Sequence, residues 1–257
     1  MLLKISLLSA VSYAVFYPFC FWIIREHIVR QGFVKFNLGM CAVLSGLSAI
    51  VFMFLPASIV LKISLLSWSA ALLWTTAKAW PNETLSWPLW MITGITGLNA
   101  ITQVVISFKG PQILPVVVSC LGGMVLSVSI FAMILGHWYL NVQGLPIRLL
   151  MRTVYVFGSL LVVRLLWDGY FLFTQTLIVS CYRIPLYAYL RHLDGIFLSI
   201  GLFFGTFLPI LLLYYVRGTL LVKSTQSATG ILYTVVIAVL MGDISYKYYL
   251  LKLGICL

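Results

Sequence analysis

Two pairs of opposite charge stand in runs that are otherwise apolar: Arg164 with Asp168, and Asp243 with Lys247. The spacing is i, i+4 in both, which sets the two side chains one turn apart on one face of a helix. A charge at the centre of a hydrocarbon layer costs about 2.5–3.5 kcal/mol on insertion scales, so an ionisable residue kept there is a candidate for handling ions or protons. Arg164 lies about 14 residues past the start of its apolar run, close to mid-bilayer at 1.5 Å of rise per residue. A shorter helix ending near Trp167, with Asp168-Gly169 as a turn, is the alternative. The 17 positions from Gln226 to Asp243 span roughly 25 Å of helix. That puts Asp243 and Lys247 near the far interface, as a self-neutralising pair or a proton path, with Lys247 able to extend outward.

The densest polar segment runs from Gly136 to Arg148 and carries His137, Trp138, Tyr139, Asn141, Gln143 and Arg148 to one membrane surface. These groups suit a quinone carbonyl or a lipid headgroup: an aromatic ring to stack, amide and guanidinium donors, and an imidazole that exchanges a proton near neutral pH. An interfacial aromatic anchor followed by a turn is the plainer reading. A second polar group, Lys223 to Gly230, opens the last apolar run. Gln226, Gly230 and Tyr233 share a helical face that can approach the His137 loop. Alternatively, Ser224 or Thr225 is an N-cap and Gly230 packs on a neighbour.

Other chemistry is not expected. The histidines are His27, His137 and His192, and only the first two fall on one side of the membrane, so haem b between facing histidines is not anticipated. Cys20, Cys41, Cys120, Cys181 and Cys256 show no CxxC spacing, and no metal site is expected. HExxH, GxSxG and paired aspartates are missing, so no residue is assigned a catalytic role.

Eight apolar stretches must position these groups, at approximately 5–24, 37–55, 57–79, 86–107, 112–136, 150–176, 194–216 and 227–250. About 20 apolar residues cross a hydrocarbon core of roughly 30 Å. A chain of 257 residues that is 63% hydrophobic and 8% charged is therefore read as all-α, a single polytopic transmembrane bundle of about eight helices over 1–257. The first stretch reads as a retained helix, because no small-residue cleavage site follows it. The net charge of +11 comes from Lys and Arg near the ends of the stretches, which points to lipid headgroups and not to nucleic acid.

Pro18 and Pro209 should bend the first and seventh helices. Trp80, Trp87, Trp90, Tyr187, Tyr189, Tyr214, Tyr215, Tyr246, Tyr248 and Tyr249 form expected interfacial belts. Gly201 and Gly205 make a small-xxx-small pair that permits close helix approach. Orientation is nearly balanced: seven basic residues fall on the N-terminal side and eight on the other, where Arg25, Arg30 and Lys35 favour the cytoplasm. The Asn82-Glu83-Thr84 sequon shares that second side.

The segment Gly242-Asp243-Ile244-Ser245-Tyr246-Lys247-Tyr248-Tyr249-Leu250 resembles the Gly-acid-x-x-x-basic-aromatic pattern on a late helix of the NrfD/DmsC-like membrane anchors of bacterial redox complexes. Asp243 stands where that pattern has Glu, and Lys247 where it has Arg. The Gly136-His137-Trp138-Tyr139-Leu140 loop is similar to one in polytopic proteins of bacterial inner membranes. The resemblance implies a haem-free inner-membrane subunit that anchors redox partners and binds quinol. Three readings follow: an electron-transfer subunit with a quinone near His137, partnered by lipids and other subunits; a small-solute or ion transporter using Arg164 and Asp168; and an intramembrane enzyme acting on a lipid through His137 and a nearby acid.

Overall fold

A computed structural model describes residues 1–24, 30–81, 86–142, 144–179 and 182–257. Arg25, His27, the Asn82-Glu83-Thr84 sequon, Gln143 and Cys181 lie outside the described residues. Among those described, eight helices of 21 to 29 residues are long and apolar enough to cross a membrane, matching the eight expected spans. Several outrun their apolar stretches: the fifth ends at Asn141 and the eighth covers Thr225–Leu253. Apolar composition stops where hydrocarbon stops, whereas a helix continues into the headgroup layer.

The chain divides into two compact units, Leu2–Ser127 and Val128–Leu257, the latter with Met1. In the N-terminal unit, α1 (Leu2–Phe16) passes into a tighter 3₁₀ segment, Tyr17–Ile24. Pro18 has no N–H to give and its ring crowds the preceding turn, so the helix narrows there. The helices α2 (Arg30–Phe54), α3 (Ile59–Ala79) and α4 (Trp87–Lys109) follow, with the first part of α5 (Ile113–Asn141). Hydroxyls and amides join them inside the apolar packing: Thr75 to Thr93 at 2.7 Å, Asn99 to Ser64 at 3.0 Å, and Ser69 to the Ser45 carbonyl at 3.1 Å. Such links average about 0.6 kcal/mol in membrane bundles. Leu47, Leu73 and Ile95 remain exposed, as a lipid-facing surface requires.

The C-terminal unit contains the rest of α5 and α6 (Arg148–Thr174), then an antiparallel hairpin, β1 (Thr176–Val179) with β2 (Tyr182–Pro185), pairing Thr176 with Pro185. Four-residue strands are too short to leave a readable period, and the sequence gives no sign of them. A single-turn α7 (Leu186–Tyr189) leads into the seventh span: α8 (Leu193–Leu202), a π turn (Phe203–Phe207) and α9 (Leu208–Leu221). The eighth is α10 (Thr225–Leu253). Beyond it, Gly254 takes a left-handed conformation (φ 72°) and turns Ile255, Cys256 and Leu257 inward. There the Cys256 carbonyl accepts from Trp167 Nε1 at 2.8 Å, and the Gln175 side chain bonds the main chain at Gly254 and Cys256. Leu186, Leu198, Leu202, Tyr249 and Leu257 pack into one core at this end.

Candidate functional site

The seventh span explains how a polar centre forms inside the C-terminal unit. Pro209 lacks the N–H that an unbroken helix would use, and its ring would press on the carbonyl four residues back. One extra residue is absorbed instead: Leu208 N–H donates to the Phe203 carbonyl, five residues earlier, and Pro209 falls in the first turn of α9, where a missing N–H costs little. The bend expected at Pro209 is thus a π turn, a local widening that is frequent at functional sites. Thr206 lies within it and is fully buried.

Close helix approach supplies the second half. A Cβ added at Gly242 would lie 2.2 Å from the Gly205 Cα, and one at Gly201 would lie 2.2 Å from Ser245 Oγ. The Gly201–Gly205 pair therefore finds its partner within the chain, on α10, and main chains meet with no side chain between them. Ser245 Oγ donates to the Phe197 carbonyl at 3.0 Å along the same seam.

At this crossing Asp168, from α6, meets Thr206 and Tyr246. Asp168 Oδ2 accepts from Thr206 Oγ1 and from the Tyr246 hydroxyl, each at 2.8 Å, and those two hydroxyls are 2.9 Å apart. Arg164 Nε stands 3.0 Å from Asp168 Oδ1, a charge contact whose angle is too poor for a hydrogen bond. The guanidinium carbon also lies 3.9 Å from the centre of the Tyr246 ring, a cation–π geometry. Arg164 and Asp168 are 2% and 1% exposed. Helix α6 continues unbroken to Thr174, so Asp168-Gly169 is not a turn and the two residues sit about three and two turns before the helix end respectively. Arg164 Nη2, buried as well, has no hydrogen-bond partner.

The Asp243–Lys247 pair is a bonded ion pair, Nζ to Oδ2 at 2.7 Å. Lys247 does not extend to the interface: it is 3% exposed. The expectation placed the pair too near the surface because α10 runs on to Leu253, leaving Asp243 roughly 15 Å of helix from that end. Asp243 is within electrostatic reach of Arg164, so the two pairs form one intramembrane group of two cations and two anions.

The His137 group is dispersed by comparison. His137 Nδ1 lies 3.2 Å from the Tyr233 hydroxyl, which brings the start of α10 to the end of α5 as the shared face of Gln226, Gly230 and Tyr233 suggests. Tyr139, however, spends its hydroxyl on the turn: it donates to the Pro146 carbonyl and accepts from Leu150 N at 3.3 Å. Trp138 is half-buried, while Asn141, Arg148 and Gln226 are exposed at three different helix ends. Gly230 faces open space, and Gly136 is the residue that packs there, against Thr229. The cap also differs from expectation, since Ser224 Oγ bonds Ser227 Oγ at 2.9 Å and caps no main-chain N–H.

Thr206 was not singled out by the sequence, and Tyr246 was assigned to an interfacial belt; Tyr246, Tyr249 and Tyr189 are instead buried. A readable signal exists for Tyr246, which sits between Asp243 and Lys247 on a helix whose glycine and serine mark a packed face. Among the described residues, no three His, Cys, Asp or Glu side chains come together as a metal-binding group.

The fold and this centre define an integral membrane protein, a multi-pass helix bundle in contact with lipid. No protein family, curated protein or solved structure matches the chain.

Proposed function

We propose that the protein is a transporter of a small solute or ion, with Arg164, Asp168, Thr206 and Tyr246 as its intramembrane site and a proton as the coupling ion. The observation that carries this is the triangle of Asp168 Oδ2, Thr206 Oγ1 and the Tyr246 hydroxyl. Three oxygens in mutual contact share only two hydroxyl protons, so one edge of the triangle is unfilled and a proton arriving on Asp168 fills it. Protonation would cancel the charge that holds Arg164, whose Nη2 already lacks a partner, and free the guanidinium to bind an anionic or carbonyl-bearing solute. Asp243 and Lys247, alongside, neutralise each other, so the protonated site carries one net positive charge, that of Arg164, for an anionic solute to balance.

A structural ion pair is separated from a transport site by removing both charges together. Replacing a buried pair by apolar residues is often neutral for stability, whereas removing one partner is costly. The double variant Arg164→Leu with Asp168→Leu, reconstituted in proteoliposomes, is expected to fold and insert but to lose pH-gradient-driven solute uptake. Full uptake by a folded double variant would reject the site.

A second reading keeps the contact between His137 and Tyr233 at the membrane surface: a bacterial inner-membrane subunit of a respiratory or electron-transfer complex that binds quinone there and anchors other subunits. The resemblance of the Gly242–Leu250 segment to NrfD/DmsC-like anchors supports it. Mass spectrometry of what co-purifies from the native membrane tests it, since stoichiometric redox subunits are required. In such a complex His137→Ala should impair quinol oxidation without dissociating the assembly.

A further inference from the structure

We infer that the C-terminal unit carries a separate binding site for an anionic phospholipid, centred on Arg217. A cleft of about 390 Å³ opens beside α9, lined by Tyr214, Tyr215, Arg217, Gly218 and Leu221 and by Ile231 of α10. Among the described residues, no acidic side chain lines it. Arg217 stands one turn before the end of α9 at Leu221, roughly 6 Å along the axis, which is the depth of headgroup phosphates and not of acyl chains.

The local geometry prepares Arg217 for an anion. Its Nε donates to the Tyr155 hydroxyl of α6 at 3.3 Å, which fixes the plane of the guanidinium while leaving both Nη groups for a forked contact with two phosphate oxygens. The apolar half of the ligand is also matched. A Cβ added at Gly218 would meet nothing within 4 Å, so the floor of the cleft is open, and exposed Leu221 with the rings of Tyr214 and Tyr215 offers an amphipathic wall of interfacial type. A cleft whose one charged lining residue is Arg217 selects a net-negative headgroup over a zwitterionic one, whose ammonium would find no anion here.

The test is native mass spectrometry of the full chain in detergent, with phosphatidylglycerol or phosphatidylcholine of identical acyl chains added at equal concentration. Preferential retention of phosphatidylglycerol is expected. Arg217→Gln should weaken it about tenfold, the loss of one forked charge-assisted contact. Gly218→Leu, which fills the cleft without altering charge, should weaken it too, whereas Lys62→Gln in the N-terminal unit should not. Millimolar inorganic phosphate should leave the lipid bound. Equal retention of both lipids, a preference for phosphatidylcholine, displacement by phosphate alone, or wild-type retention in the Arg217 and Gly218 variants would each overturn the site.

Discussion

The guanidinium carbon of Arg164 lies 3.9 Å above the ring centre of Tyr246, while the hydroxyl of the same tyrosine donates to Asp168, the counter-ion of that arginine. One aromatic side chain thus serves both charges of a buried pair: its face meets the cation and its edge group meets the anion. The pair, both members on α6, is held from α10 by a residue that is itself neutral.

Single-sided removal of charge should be severe. Arg164→Leu leaves Asp168 buried against two hydroxyls and no cation, and a cost of about 3–5 kcal/mol is expected from the precedent of broken buried pairs. Adding Asp168→Leu should recover most of that. Unfolding of the purified single and double variants in detergent measures both; equal loss in the two would show that packing, not charge, dominates.

The two hydroxyls on Asp168 should act as a unit. Tyr246→Phe keeps the ring over Arg164 and deletes one donor, and Thr206→Val deletes the other; each should cost on the order of 1 kcal/mol, within the range of membrane hydrogen bonds. The double variant should cost more than the sum, because Asp168 Oδ2 then has no donor at all. A double-mutant cycle reads the coupling, and strict additivity would mean that the triangle is not cooperative.

Gly242→Ala tests the helix crossing on which the centre depends. Its Cβ would lie 2.2 Å from main-chain Gly205, which no rotamer change relieves. The helices must part, at about 1–3 kcal/mol for an overpacked contact, and the Thr206–Tyr246 distance must lengthen. Gly230→Ala on the same helix meets open space and should leave melting temperature unchanged.

Surface changes at the His137 group should be mild. His137→Ala and Tyr233→Phe remove a single exposed contact, and stability is expected to stay within about 0.5 kcal/mol of wild type. A larger loss on thermal unfolding would indicate that this contact orders the ends of α5 and α10.

The membrane architecture was legible because hydrocarbon imposes a length and a composition that eight stretches plainly obey. The i, i+4 spacing likewise carried Arg164 with Asp168 and Asp243 with Lys247, since a helix makes those neighbours whatever surrounds it. What joins the pairs was not legible. Thr206 reaches Asp168 only because a π turn forms ahead of Pro209, and no local pattern distinguishes a proline that kinks a helix from one that widens it. Tyr246 was misread for a related reason: aromatic residues near the end of an apolar stretch suit either an interface or a core, and the extension of α10 to Leu253 decided between them. At the His137 loop, residues close in sequence are divided between the end of α5 and the start of α6, so density of polar residues was a poor guide to convergence.

The π turn holds one more residue than the uniform helix it interrupts. Each residue of an α-helix accounts for about 100° of rotation. Deleting any single position between Phe203 and Phe207 would restore a regular spiral and leave its two halves out of phase with the bundle by that angle. Residues of α9 that now face lipid would swing toward protein, and buried Leu213, Val216 and Leu220 would swing outward. The seventh span thus obeys two reading frames, one on each side of Thr206, and length changes inside this transmembrane segment should be far less tolerated than substitutions.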